Sequence, residues 1–383
     1  MMKLHVTSGA DRLQSLEAKL QGKRVGLMTN PTGIDHSLRS TIDTLYGMGH
    51  LDAMFAVEHG IRGMEQAGAA VATQTDPETG LTVYSAFGKT SHFTDEMLDA
   101  FDILIFDIQD VGARFYTYLY SLSYAMEACA RAGKEMVVLD RVNPIGGVKQ
   151  AGTILDTRFS SFVGDYALPT RYALTIGEYA LYVKDYLKLD VHLTVVTLEG
   201  WERRAYLDET DLPWVAPSPN CPDLAAALCY IGTCIFEGTN VSEGRGTTQP
   251  FQLIGAPFLD GAKLAKRLND LRLPGVHYRP AAFTPTFSKH QGTPCQGVQL
   301  HITDREAAEP FTAGLCLLDA VREQAGEKFA FISWDGEQSF AIDKLLGTDR
   351  YRAGNLSAKE LVEISREGNE QFRRLAKEYH LYK

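Results

Sequence analysis

Five short apolar runs constrain this chain more than any other feature: RVGLMT (24–29), DAMFAV (52–57), ILIFDI (103–108), EMVVLD (135–140) and HLTVVTL (192–198). None has the polar alternation of a strand with one wet face. Each therefore reads as a strand covered on both sides, as in a parallel α/β sheet. Amphipathic stretches at 37–48, 93–101, 115–133 and 175–188 alternate with them, the third closing on a C-cap glycine, Gly133. The expected fold class is α/β, with a Rossmann-like parallel-sheet N-terminal domain. No G-x-G-x-x-G follows the first strand and no P-loop occurs, so the dinucleotide fingerprint is missing.

From about residue 200 to 255 the pattern loosens into Pro- and Gly-rich loops, WVAPSPNCPDL and FEGTNVSEGRGTTQPF. A helix at 260–271, strands near 276–283 and 296–303, and a helix at 310–325 then indicate a smaller α+β domain. The expected division is 1–248 and 249–383. The charged helix at 357–379 reads as a solvated face.

A chain of 383 residues can bury a substantial core. Its 45% hydrophobic and 22% charged residues are ordinary for a globular protein. The net charge of -10 argues against nucleic acid or an anionic membrane surface as main partner. It leaves room for one small anion held by a few arginines. Six scattered cysteines with no C-x-x-C pair read as reduced, packed thiols rather than a disulfide framework or zinc site. With no signal-like h-region and no 18-residue apolar run, the expectation is a cytoplasmic protein without membrane insertion, or an exported one if a leader has been removed.

In open α/β sheets, ligands bind beyond the carboxyl ends of the strands. Here four successive strands end in polar residues beside Gly or Pro: Asn30; then Glu58, His59 and Arg62; then Asp107, Gln109, Asp110 and Arg114; then Asp140, Arg141 and Asn143. Four in phase favour a site. Glu58 is the sharpest candidate. It follows Phe55, Ala56 and Val57, and a carboxyl against apolar walls can serve as a general acid near neutral pH. Capping the next turn, or pairing with Arg62, explains it equally well. His59 reads as an orienting neighbour. Asp107 and Asp110 suit metal ligation, acceptance from sugar hydroxyls or helix capping; the structural role leads for Asp107, and Asp110 stays open.

FEGTNVSEGRGTTQPF (236–251) sets Glu237, Asn240, Glu243, Arg245, Thr247 and Thr248 among three glycines. Such a loop lets backbone approach a ligand while side chains offer donors and acceptors. A well-bonded Ω-loop without chemistry is the alternative. Tyr116, Tyr118 and Tyr120 could stack on sugar faces, although core packing suits most of them. His59, His290 and His301 lack the spacing of a metal motif and rank low as ligands.

These segments together resemble the exo-β-N-acetylmuramidase (NamZ-type) family of peptidoglycan hexosaminidases, once a domain of unknown function. The resemblance rests on VGLMTNPTGID (25–35), VEHGIRG (57–63), FDIQDVGARFYTY (106–118), LDRVNPIGG (139–147), RFSSFVGDYALPTRYALTIGE (158–178), PSPNCPDL (217–224), YIGTCIFEGTNVSEGRGTTQPFQLIGAP (230–257), FTPTFSKHQG (283–292) and CQGVQLHITD (295–304). It implies a Rossmann-like domain, a smaller domain closing an active-site cleft, and hydrolysis of terminal β-linked N-acetylmuramic acid from the non-reducing end of peptidoglycan fragments. It also implies that Glu58 is the general acid/base.

Under this reading the second catalytic group is Asp110, Glu243 or the substrate's own 2-acetamido oxygen. Arg62, Arg114 or Arg245 would bind the lactyl carboxylate. Asn143, Asn220 and Asn240 would read hydroxyl or acetamido groups. Asn30, His59, Tyr116, Glu237 and Thr247 complete the expected substrate-binding set. No metal or organic cofactor is called for. Two rivals stand: a metal-dependent hydrolase or nucleotide-sugar transferase with Asp107 and Asp110 on the cation, and a non-catalytic muropeptide-binding module.

Overall fold

The computed structural model of the protein describes residues 3–63, 72–87, 92–334 and 339–383. A seven-stranded sheet forms its centre: β1 (Val25–Thr29), β2 (Leu51–Ala56), β3 (Gln74–Thr75), β4 (Thr82–Ser85), β5 (Ile103–Asp107), β6 (Glu135–Leu139) and β9 (His192–Val196). Their order is β3-β4-β2-β1-β5-β6-β9, parallel throughout except for β3 against β4. All five expected strands are present within a residue or two of their expected bounds.

Side chains alternate across the two faces of these strands, as period two requires. Ile103, Ile105, Val137 and Leu139 pack on one face with Leu16, Leu20 and Ile42. Those last three come from the Ala10–Leu16 turn, α1 (Glu17–Leu20) and α2 (Thr41–Gly47). Leu104, Phe106, Met136 and Val138 pack on the other face. There they meet α3 (Asp95–Asp99), α4 (Tyr118–Ala132) and α5 (Ile176–Tyr186). Burial on both faces is why the strands carry no alternation in the sequence.

A two-stranded ribbon, β7 (Ala151–Ile154) with β8 (Pro169–Arg171), leaves the main sheet after β6. The smaller domain has an antiparallel sheet, β10-β12-β11, formed by β10 (Leu253–Ala256), β11 (Val276–Phe283) and β12 (Cys295–Ile302). The ribbon strands, β3, β4 and β10 are too short for a sequence pattern. The stretch expected as loop near 224–233 is a helix, α6 (Leu224–Thr233), LAAALCYIGT. It is apolar on every side because it is buried on nearly every side, so it shows no amphipathic stripe. With α7 (Gly261–Asp270), α8 (Pro310–Ala325) and α9 (Ala341–Leu346), it completes the packing.

The C-terminal helix α10 (Ala358–Ala376) corrects the reading of a merely solvated element. Leu361, Val362, Phe372 and Ala376 are buried, and Asn369 donates to the Gly152 carbonyl of β7 at 3.0 Å. Its charges cover only the outer face. Among the described residues no helix is long and apolar enough to cross a membrane.

Candidate active site

At three of the four polar strand ends the side chains are bonded within the protein, although Asn30 Nδ2 and Asp110 Oδ1 are buried without a partner among the described residues. At the end of β5, Asp107 is buried: it accepts from Arg141 Nε at 2.6 Å and from the Thr41 hydroxyl. Arg141 also donates to the Ile34 carbonyl at 2.9 Å. Asp140, beyond β6, accepts from Thr175, the Gly177 amide and Tyr382. Burial pushes its carboxyl up to about 7 against those hydrogen bonds. Asn30 accepts from the amide and hydroxyl of Thr32. The sheet order reverses direction between β1 and β5, the usual ligand crevice of such sheets. Side chains fill that crevice here, leaving a void of about 20 Å³ lined by Thr32, Gln109 and Arg141 among others.

The fourth strand end opens a cavity. After β2 the chain turns through His59 (φ 71) and Gly60 (φ 76), with the Gly60 amide bonded to the Val57 carbonyl at 2.9 Å. A left-handed histidine is a strained conformation that surrounding structure must impose. This turn brings Glu58 and His59 to the wall of a cavity of about 790 Å³. Val57 and Ile61 are buried beside Glu58, as expected for a carboxyl with apolar neighbours. Thr117 Oγ1 donates to Glu58 Oε2 at 2.6 Å. Thr117 is the N-cap residue of α4, yet its side chain makes no capping bond.

Aromatic rings make much of the wall: Tyr116, Tyr118, Tyr120, Tyr124, Tyr230, Phe162 and Trp334. Trp334 and Phe162 pack with centroids 5.4 Å apart across 172 residues of sequence. Tyr118 donates to the Pro217 carbonyl at 2.5 Å and Tyr120 to the Arg114 carbonyl at 2.6 Å. The alternating tyrosines are thus both core and lining.

Elsewhere on the cavity's wall lie Glu237, Glu243, Arg245 and Lys289. Lys289 Nζ is 2.8 Å from Glu243 Oε2 and donates to the carbonyls of Phe236 and Val241. Arg245 Nη1 lies 2.6 Å from Glu237 Oε1 and 3.3 Å from Glu243 Oε1, and its guanidinium sits 4.9 Å from the centre of the Phe251 ring. Burial pushes the Glu243 carboxyl up, but Lys289 and Arg245 outweigh it and hold the carboxyl below its ordinary value. Arg245 Nε is buried without a hydrogen-bond partner among the described residues.

Of the expected site residues, Glu58, His59, Tyr116, Asn220, Glu237, Glu243 and Arg245 line this one cavity. The others do not, and each has a structural occupation. Asp110 is buried, accepting from the Gly112 amide at 2.6 Å and from the Tyr172 hydroxyl; burial pushes its carboxyl up to about 7. Arg114 is 0% exposed and donates to the carbonyls of Thr153, Leu168 and Leu345. Arg62 is taken by Asp76 and Glu78. Asn143 spans the Leu174 carbonyl and Ile145 amide, and Asn240 spans the Lys328 carbonyl and Ala330 amide. Thr247 closes a turn on the Gly244 carbonyl.

Thr117, Lys289 and Trp334 were not among the expected site residues. The first two lie inside quoted motifs; Trp334 has no local signal. His59, His290 and His301 do not converge. Among the described residues, the group of His, Cys, Asp or Glu side chains close enough to hold an ion is His5, His36 and Asp211, away from this cavity.

Fold and cavity together define a two-domain α/β protein with a carbohydrate-sized, aromatic-walled cavity and a carboxyl on its wall. The chain belongs to the exo-β-N-acetylmuramidase NamZ family: residues 25–225 match the family's N-terminal region and 228–382 its C-terminal region. It is 45% identical, over 98% of its length and 91% of the relative's, to the peptidoglycan β-N-acetylmuramidase NamZ of Bacillus subtilis strain 168. Two crystal structures of DUF1343 family proteins from Bacteroides fragilis NCTC 9343 share its fold. One has TM-score 0.90 and 36% identity with full coverage of both chains; the other has 0.79 and 31%, covering 99% of each.

Proposed function

We infer that this chain is an exo-β-N-acetylmuramidase, releasing terminal β-linked N-acetylmuramic acid from the non-reducing end of peptidoglycan fragments, with Glu58 as general acid/base. The observation that carries the acid assignment is Glu58 on the wall of the large cavity, its carboxylate oriented by Thr117. The proton of Glu58 passes to the glycosidic oxygen as the bond to C1 breaks through an oxocarbenium-like state.

The other carboxylates lining the cavity, among the described residues, are Glu237 and Glu243, both engaged by Arg245. Asp110 is outside it. This supports the substrate's 2-acetamido oxygen as the nucleophile. It closes on C1 from the opposite face to give an oxazolinium. Water then reopens the ring as Glu58, now a carboxylate, takes its proton. Arg245 reads the lactyl carboxylate, using the Nε–H that has no partner among the described residues. Such a charge-assisted contact is worth about 1.5–3 kcal/mol of discrimination against a glucosaminide.

The test is chromophore release from para-nitrophenyl β-N-acetylmuramide, with the N-acetylglucosaminide as control. Cleavage of the muramide alone, abolished in Glu58→Gln, is the expected result. Undiminished cleavage by Glu58→Gln would remove Glu58 from the mechanism. A trifluoroacetamido muramide, whose carbonyl is a poorer nucleophile, should react much more slowly; an unchanged rate would return the second step to a protein carboxylate.

A further inference from the structure

We propose that a second cavity, sharing no lining residue with the first, binds a small organic carboxylate through Arg171. This cavity has a volume of about 630 Å³, within the usual range for small-molecule sites. One part of its wall is apolar, contributed by Leu4, Ile145 and Val148. Another is the ring of Tyr206, held by the Arg305 guanidinium 4.1 Å from its centre.

Arg171 ends β8 and is 2% exposed. Its Nη2 donates to the Ile145 carbonyl, but its Nε has no hydrogen-bond partner among the described residues. Every carboxylate lining the cavity is already held by another base. Asp208 and Glu209 pair with Arg305 at 2.7 and 2.8 Å, and Glu306 pairs with Lys149 at 3.2 Å. The neighbouring arginines are likewise satisfied, Arg203 by buried Glu178 and Arg204 by Glu202. Among the described residues Arg171 is thus a buried guanidinium with no carboxylate at ion-pairing distance, in a chain whose net charge is -10. Burial pulls it below its ordinary pKa, with Tyr206 and Glu306 acting against that.

A buried unpaired cation is among the least favourable things a fold can keep. An anion entering the cavity relieves it. The volume exceeds what an inorganic ion fills, and the apolar wall suits a hydrocarbon body. A carboxylate on a ring or short aliphatic frame satisfies both parts.

Benzoate titrated into the full chain by calorimetry tests this. One saturable site is expected, weakened about ten- to hundredfold in Arg171→Met, the loss of one charge-assisted hydrogen bond. Affinity should be unchanged in Glu58→Gln, and the neutral isostere benzyl alcohol should not bind. Val148 is 54% exposed, so Val148→Asp should leave the fold intact while repelling the anion; it carries the test alone if Arg171→Met does not fold. Absence of benzoate binding overturns the proposal, as does binding indifferent to both variants or lost in Glu58→Gln. Binding of inorganic phosphate with benzoate silent overturns the organic-carboxylate assignment.

Discussion

Thr117 occupies the N-cap position of α4 but gives its hydroxyl to Glu58, 2.6 Å away, instead of to the helix. A side chain in that place ordinarily stabilises the helix by satisfying a free amide. Here that stabilisation is forgone and the carboxylate is fixed in one rotamer. Thr117→Val should therefore lower kcat for the muramide about ten- to hundredfold with little change in KM. Stability should fall by about 1 kcal/mol, since the bond to buried Glu58 is lost although no capping bond is. Thr117→Ser should restore the rate. Steady-state kinetics beside a urea melt separate this from simple unfolding.

Lys289 holds Glu243, which is 1% exposed, together with Arg245. Removing one partner leaves a buried carboxylate short of positive charge. Lys289→Met should destabilise the protein by about 2 kcal/mol, less than for a fully broken pair because Arg245 remains. The Glu243 carboxyl is held below its ordinary 4.5 in the fold, so its contribution is present above that value and lost as pH falls through the lower folded one. In Lys289→Met that acid loss should begin at higher pH. Denaturant melts across pH 3 to 6 read both effects.

Asp110 gives the opposite pH dependence. Its carboxyl moves from 3.8 to about 7 on folding because burial dominates over the hydrogen bonds from Tyr172 and Gly112. The folded state therefore binds the proton more tightly, and this contribution is complete below about 4 and is lost as pH rises toward 7. Asparagine keeps an acceptor for both donors and cannot ionise. Asp110→Asn should flatten the decline of stability between pH 4 and 7, removing up to about 1.4 kcal/mol per pH unit. An unaltered pH profile of Tm would contradict it.

Helices α6 and α8 cross where Gly232 faces Gly314. A Cβ built on Gly314 would stand 1.9 Å from the Gly232 carbonyl oxygen, a backbone atom that cannot swing aside. Gly314→Ala should cost about 1–3 kcal/mol, despite alanine's better helix propensity, because the helices must separate. Thermal unfolding checks it: a stabilised variant would mean the crossing is looser than described.

The sequence by itself determined the five buried strands, the helices between them and the turn at Glu58. Apolar runs, periodicity and glycine spacing are local signals of local structure. It also carried the family, since ordered motifs span the chain. It could not say which strand ends bind a ligand. Asp107 and Arg141, 34 residues apart, pair only after β5 and β6 become neighbours, and Arg114 meets the Leu345 carbonyl across 231 residues. A polar residue after a strand looks the same whether its partner is a substrate or a distant carbonyl. Burial and the pairing of charges are properties of the packed chain. Tertiary structure alone decided that Glu58 and Arg245 share a cavity while Asp110 and Arg114 stand behind it.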